Sequence, residues 1–278
     1  ARLPWMFRIG AGAYHAVFDA SSVEQLHLSR WMTRFFSSGA CVGYDYGSSS
    51  WLYTHRLDTR PLASLHMKDI YARLLSPLAD VPQIGLEPPP PSPSLLESLR
   101  LPAGGKRIVV HPGGRDNISD FEKRWPIAHY RQLIEQLKAW ADVHVIIVGA
   151  SSEEDWIEQY LGPVIDSTTV SLAGRTTIAQ LFEIIRSADL FVGNNSGPLH
   201  MAAACGVPLV TFAGGVPLQR WGVAVVDRNV VLGVDKRCPV CTEYECDRHG
   251  EPCLAAITVA ETLAAARTLL GRQSAAVV

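Results

Sequence analysis

From residue 104 onward, short runs of β-branched and aliphatic residues alternate with longer segments of helical period, and this alternation restricts the possible folds more than anything else in the chain. The runs lie at 108–111, 143–148, 190–192, 207–212 and 230–234. Strands this uniformly apolar must be buried on both faces, which requires a parallel sheet covered by helices on each side. Two of the intervening segments have one-sided apolar spacing: Ile127, Tyr130, Leu133, Ile134 and Leu137 in one, Ile178, Leu181, Phe182 and Ile185 in the other. Both are expected to cover the sheet, with these residues packing its core and carrying no chemistry.

Ahead of this region, residues 87–93 read EPPPPSP. Prolines packed so densely stiffen the backbone into an extended segment that excludes a helix or central strand. Residues 86–105 are therefore expected to connect two domains, one over 1–90 and one over 104–278. A chain of 278 residues has the length for two. The first hundred residues suggest a strand at 16–18, a helix over 23–36, a Gly/Ser-rich loop at 47–50 and a helix over 68–75. Gly10-Ala11-Gly12 lacks the third glycine of a dinucleotide fingerprint and is given no weight. The chain starts with Ala rather than Met, as a fragment or trimmed product does.

Lysine and arginine number 25 against 27 acidic residues, a net charge of -2. Such a balance argues against a nucleic-acid partner and against strong attraction to an anionic membrane, so any phosphate binding must be local. There is no run of 18 apolar residues and no signal-peptide pattern at the start, which gives a cytoplasmic expectation.

In a parallel α/β sheet, ligands bind beyond the carboxyl ends of the strands. Three loops there stand out. The first runs from Pro112-Gly113-Gly114-Arg115 to Lys123-Arg124-Trp125-Pro126, about fifteen residues where two to six are usual. Gly113 and Gly114 permit close approach of the backbone to a ligand, and Pro126 at the first helical position would set Lys123 beside a helix N-terminus. An ammonium, free amides and the positive end of a helix dipole together suit a leaving diphosphate. A solvated surface lysine is the alternative.

The second loop reads GNNSGPLH over 193–200, with Ser196 placed to cap, Pro198 to start a helix and Gly206 to end it. It reads either as a phosphate cradle with His200 in the first turn or as an ordinary strand-to-helix turn. The third, Gly149-Ala150-Ser151-Ser152-Glu153-Glu154, sets carboxylates just after a strand. They can accept from ribose hydroxyls, or simply favour the first turn of a helix.

Taken together, HPGG at 111–114, KRWP at 123–126, LAGRTT at 172–177, GNNSGPLHMAA at 193–203 and RWG at 220–222 resemble the heptosyltransferase-like glycosyltransferases of family 9, over about residues 104–270. The resemblance implies an α/β fold of GT-B type: two Rossmann-like domains facing a cleft, the N-terminal one incomplete here, and the nucleotide sugar held mainly by the C-terminal one. It further implies inverting transfer of a heptose-like sugar, with ADP-heptose as donor, to a lipid-linked lipopolysaccharide-type glycan. Such transfer needs no bound metal, and the enzyme works in the cytoplasm with peripheral contact at the inner membrane.

Carried over residue by residue, Lys123 would neutralise the donor phosphates and Gly113 and Gly114 would line them. Glu153 would hold the ribose, while Ser196, Gly197, Pro198 and His200 would complete the diphosphate side. Asn195 stands where the family usually has an aspartate at the donor sugar; asparagine keeps an acceptor but loses the charge. The family's N-terminal aspartate base has no clear counterpart. Asp19 follows an apolar run and is a substitute to consider, although a helix-capping role is the stronger reading. A non-catalytic or fragmentary nucleotide-sugar-binding protein of the same fold is the alternative function.

Cys238, Cys241, Cys246 and Cys253 cluster near the C-terminus. The first pair has the CxxC spacing of a zinc site while the second pair is looser. Reduced thiols bracing a loop are favoured over structural zinc.

Overall fold

Alternate residues of one strand point to opposite faces, so a strand whose every residue is apolar needs a layer on each side. The computed structural model shows this arrangement. It describes residues 14–20, 27–47, 50–80, 85–98, 101, 104–114, 124–214, 218–223, 228–233 and 253–275. The chain divides into two units, Ala1–Gly85 and Leu86–Val278.

In the second unit, strands β4 (Lys106–His111), β5 (Val143–Ile147), β6 (Thr169–Ser171), β7 (Leu190–Gly193), β8 (Leu209–Phe212) and β9 (Asn229–Leu232) form one sheet in the order β6-β5-β4-β7-β8-β9. Every pairing is parallel. Helices α4 (Ile127–Lys138), α5 (Glu154–Leu161) and α9 (Val259–Ala275) supply one covering layer, α6 (Ile178–Arg186) and α7 (Gly197–Ala204) the other, and a short α8 (Leu218–Trp221) follows β8.

The alternation along β4 and β5 sorts the core into two clusters. Ile108, Val110, Val145 and Ile147 pack with Tyr130, Leu133, Ile134 and Leu137 of α4 and with Ile157 and Leu161 of α5. Val109 and Ile146 pack on the other side with Phe182, Ile184 and Ile185 of α6 and Leu199 and Ala202 of α7. At about 25 cal/mol per Å² of apolar surface removed from water, these two layers are the main source of the unit's stability.

The chain winds outward from β4 through β5 to β6, then returns to β7 and winds the other way. The order reverses between β4 and β7, and a crevice for ligands opens at the carboxyl ends of strands flanking such a reversal.

The first unit is an α/β unit with its own three-stranded parallel sheet among the described residues: β1 (Tyr14–Asp19), β2 (Ser37–Tyr44) and β3 (His55–Leu57), in the order β1-β2-β3. Helix α1 (His27–Phe36) links β1 to β2, and α2 (Met67–Arg73) follows β3. Gly43 is required in β2 because a Cβ there would lie 2.3 Å from the ring of Tyr53.

Three expectations need correction. Ile178 does not belong to the packed face of α6: it is 74% exposed, while Phe182, Ile184 and Ile185 are buried. It is the first residue of the helix, and helical side chains lean toward the N-terminus, so this one reaches past the sheet. The proline-rich segment is also not extended throughout, since Pro93 opens a short helix, α3 (Pro93–Ser98). Proline is compatible with a helix at its first position, where its missing N–H is not needed. Pro126, finally, precedes α4 as its N-cap rather than standing as its first residue.

Candidate functional site

Polar residues are buried at the carboxyl ends of β4, β5 and β7, where a sheet core should hold none without partners. His111 ends β4 at 4% exposure, Glu153 lies in the turn after β5 at 5%, and Asn194 follows β7 at 2%. Each is partnered by a neighbouring loop, so the three loops form one hydrogen-bonded unit.

Glu153 sits at the centre of this unit. Its Oε1 accepts from the Gly114 amide and its Oε2 from the Ala150 amide, both at 2.7 Å. His111 Nε2 lies 3.5 Å from Oε2. Burial pushes the Glu153 carboxyl up, but the hydrogen bond and charge of His111, with the amides of Ala150 and Gly114, outweigh burial and hold it below the usual glutamate range. Expected at a ribose, Glu153 instead lies beneath the loops with both oxygens engaged by protein groups.

That carboxylate also accounts for Gly113. A Cβ at this position would lie 2.0 Å from Glu153 Oε1, so the glycine makes room for a side chain of the protein itself. For Gly114 the described residues impose no such constraint, since among them a Cβ meets only the Arg124 side chain, at 3.6 Å. Arg124 in turn donates from Nη2 to the Gly114 carbonyl oxygen at 3.0 Å, which ties the two described ends of the long first loop together. Lys123 lies outside the described residues.

The loop after β7 is fastened by Asn194. Its Oδ1 accepts from the Trp125 amide at 2.9 Å, and its Nδ2 donates to the carbonyl oxygens of Pro112 and Gly113 at 2.8 and 3.0 Å. Trp125 is itself fixed by stacking on Phe212, with ring centroids 4.6 Å apart, and by donation from Nε1 to the Ile257 carbonyl oxygen at 2.8 Å. Of the two adjacent asparagines, the residue expected at the donor sugar was Asn195, which is half-buried; its neighbour Asn194 turns inward and sets the loop.

Ser196 stands at the N-cap of α7, yet its side chain does not cap the helix. Its Oγ lies 3.0 Å from His111 Nδ1 and 3.1 Å from the Asn194 carbonyl oxygen. Gly197 and Pro198 form the first turn with Leu199 and His200, and among the described residues nothing lies within 4 Å of a Cβ built at Gly197. Among the described residues this helix end is thus open, with Asn195, Ser196 and Gly197 around it. Gly206, just past the helix, has φ +68, the left-handed conformation that glycine supplies after a C-terminus.

The loop after β6 reaches the same end of the sheet. Gly174 has φ +70, its amide donates to the Gly149 carbonyl oxygen at 3.0 Å, and Arg175 pairs with Glu154 at 3.5 Å. Glycines, one helix N-terminus and buried polar bracing at a sheet reversal make an arrangement suited to a phosphorylated ligand.

Of the remaining candidates, Asp19 ends β1 in the first unit and accepts from the Tyr53 hydroxyl at 2.6 Å. The Gly10–Gly12 segment and Cys238, Cys241 and Cys246 lie outside the described residues, as does the side chain of Cys253. Among the described residues, no group of three or more His, Cys, Asp or Glu could hold a metal ion. No helix described is long and apolar enough to cross a membrane.

Two residues that sequence reasoning passed over, His111 and Asn194, do most of the bracing. The available signal for His111 was a polar residue closing an otherwise apolar strand, which must find partners if it is buried.

Comparison with known proteins adds independent findings. A family model described as glycosyltransferase family 9 (heptosyltransferase) matches residues 7–250. Lipooligosaccharide heptosyltransferase 2 of Campylobacter jejuni is 23% identical over 170 residues, 60% of this chain and 52% of that protein. The enzyme of the same name from Haemophilus influenzae is 34% identical over 95 residues, 33% of this chain and 27% of that one. The chain thus spans about half the length, or less, of these curated relatives.

Among solved structures, Escherichia coli ADP-heptose lipopolysaccharide heptosyltransferase II superposes with a TM-score of 0.68 at 20% identity, covering 93% of this chain and 76% of that one. E. coli heptosyltransferase WaaC with ADP gives 0.59 at 19% identity, covering 95% and 75%. These likenesses establish the fold as the α/β GT-B type of the heptosyltransferases.

Proposed function

The chain belongs to glycosyltransferase family 9, the heptosyltransferase family, and from that premise we propose that it transfers a heptose from ADP-heptose to a lipopolysaccharide-type acceptor with inversion at the anomeric carbon. One observation carries the reading: the loops after β4, β5 and β7 converge on the open N-terminal turn of α7 at the point where the strand order reverses.

In this reading the donor diphosphate lies against Ser196, Gly197, Pro198 and His200, with Gly113 and Gly114 along its other side. Lys123 is assigned to neutralise the donor phosphates. The acceptor hydroxyl attacks the anomeric carbon and gives up its proton to water, the bond to the diphosphate oxygen breaks, and the departing ADP takes the electron pair. Lys123 and the helix end stabilise the charge that develops there, so no bound metal is needed. Glu153 acts by holding the Gly114 and Ala150 amides in place, because its own oxygens are occupied. Asn195 faces the donor sugar. The acceptor is lipid-linked, which places the work at the cytoplasmic face of the inner membrane through peripheral contact. Structures of E. coli heptosyltransferase WaaC, of similar fold, were solved with ADP and with ADP-2-deoxy-2-fluoro heptose, which supports the adenine nucleotide as the donor's carrier.

Calorimetric titration with ADP, GDP and UDP at fixed salt tests this, on the wild-type chain and on Lys123→Ala. The expected result is binding selective for ADP that weakens when Lys123 is removed. Failure to bind any of the three would overturn the donor-site assignment.

A further inference from the structure

Loops from three strands meet at one buried imidazole whose two nitrogens face chemically different partners. His111 Nε2 looks toward the Glu153 carboxylate at 3.5 Å, and Nδ1 toward Ser196 Oγ at 3.0 Å. Ser196 Oγ has a second neighbour, the Asn194 carbonyl oxygen, at 3.1 Å. A hydroxyl has only one hydrogen to give, and the imidazole decides where it goes.

With a single proton, the imidazole places it on Nε2, toward the carboxylate. Nδ1 then has only a lone pair, and the Ser196 hydroxyl must donate to it. With two protons, Nδ1–H donates to Ser196 Oγ instead. The serine hydrogen is then released for the Asn194 carbonyl oxygen or for an anion arriving beside Gly197, where there is open space. The charge changes as well. The singly protonated assembly carries the negative charge of Glu153 behind the site, whereas the doubly protonated one is a neutral ion pair that repels an incoming diphosphate less.

The geometry points to His111 as a positioning residue of the diphosphate site, one that takes up a proton from solvent as the diphosphate binds and thereby turns the Ser196 hydroxyl toward it. This rests on the donor-site reading above. Imidazole suits the task because it can hold one proton or two, and Nδ1 accepts from the Ser196 hydroxyl in the first state and donates to it in the second. Other titratable groups on the described parts of these loops are Arg124, which donates to the Gly114 carbonyl oxygen, and His200 in the first turn of α7; Glu153 is the acidic one in contact.

The test is calorimetry of ADP binding in two buffers of different ionisation enthalpy at a common pH just above neutral, for the wild-type chain, His111→Asn and Ser196→Ala. The nucleotide's own proton exchange is common to all three and cancels in the differences. Wild type is expected to take up as much as one proton more than either variant. Its affinity, relative to theirs, should rise as pH falls, by at most about tenfold per pH unit, and the advantage should vanish as pH rises.

Equal proton uptake in the three proteins would overturn the proposal while leaving the donor site standing. Absence of ADP binding to wild type would remove the donor site and the proposal with it. Ser196→Ala leaves the Glu153–His111 pair untouched, so it decides the matter alone if His111→Asn does not fold by thermal unfolding.

Discussion

Gly113→Ala isolates the bracing role of Glu153. The added Cβ would lie 2.0 Å from Glu153 Oε1 and 2.6 Å from Oε2, so the carboxylate must leave its seat. A glutamate side chain can swing away, and the steric contact alone is therefore cheap. What the swing breaks is not: two amide-to-carboxylate hydrogen bonds of 2.7 Å and the contact with His111. Hydrogen bonds to a charged group contribute about 1.5–3 kcal/mol each, and solvation regained by the carboxylate returns part of that. The net loss should be about 3 kcal/mol. For a unit of this size that corresponds to a fall in melting temperature of about 6–12 °C.

Glu153→Ala should cost a similar amount, about 3 kcal/mol, because it leaves the same amides and His111 without their acceptor. The decisive measurement is the double variant, followed by urea unfolding. With the carboxylate gone, the three atoms nearest a Cβ at 113 are gone with it, so the double variant should be no less stable than Glu153→Ala alone. That is a coupling of about 3 kcal/mol between the two positions. Additive losses would refute the claim that Gly113 is glycine because of Glu153.

Asn194→Ala should cost about 2–4 kcal/mol, since it removes the partners of the Trp125 amide and of two carbonyl oxygens in a buried setting, and should loosen both flanking loops; chemical denaturation with tryptophan fluorescence reads it. The pH dependence of stability follows from Glu153. Its carboxyl is held below the usual glutamate range, so the stabilisation is present above that range and is lost as pH falls through the lower folded value. Thermal unfolding between neutral pH and pH of about 3 should show this loss, and Glu153→Gln should flatten that part of the curve.

The second unit was largely legible because its strands are uniformly apolar and long enough to register: 108–111, 143–148, 190–192, 207–212 and 230–234 all fall on strands, to within a few residues. Strand β6 escaped because it is three residues, Thr-Val-Ser, at the sheet edge, where periodicity has no room to show. In the first unit β2 escaped for a different reason. Ser37-Ser38-Gly39-Ala40 opens it with residues of turn chemistry, and its strand character comes from pairing on both sides.

The candidate site was legible at the level of loops and less so at the level of roles. A glycine that admits a ligand and one that admits a glutamate look the same in a sequence, and at Gly113 it is Glu153 that a Cβ would meet. Two consecutive asparagines likewise give no sign of which turns inward. His111 read as a strand end, and its significance lies in contacts with residues 42 and 85 positions away.

In the proposed donor site a nucleotide diphosphate seats against the loops after β4 and β5 and the N-terminal turn of α7. Amide hydrogen exchange with and without saturating ADP tests it most directly. Slowed exchange is expected at 113–114, 149–153 and 195–200, with the outer faces of α4 and α9 unchanged. Protection confined to other segments, with those three unaffected while ADP is bound, would contradict the claim.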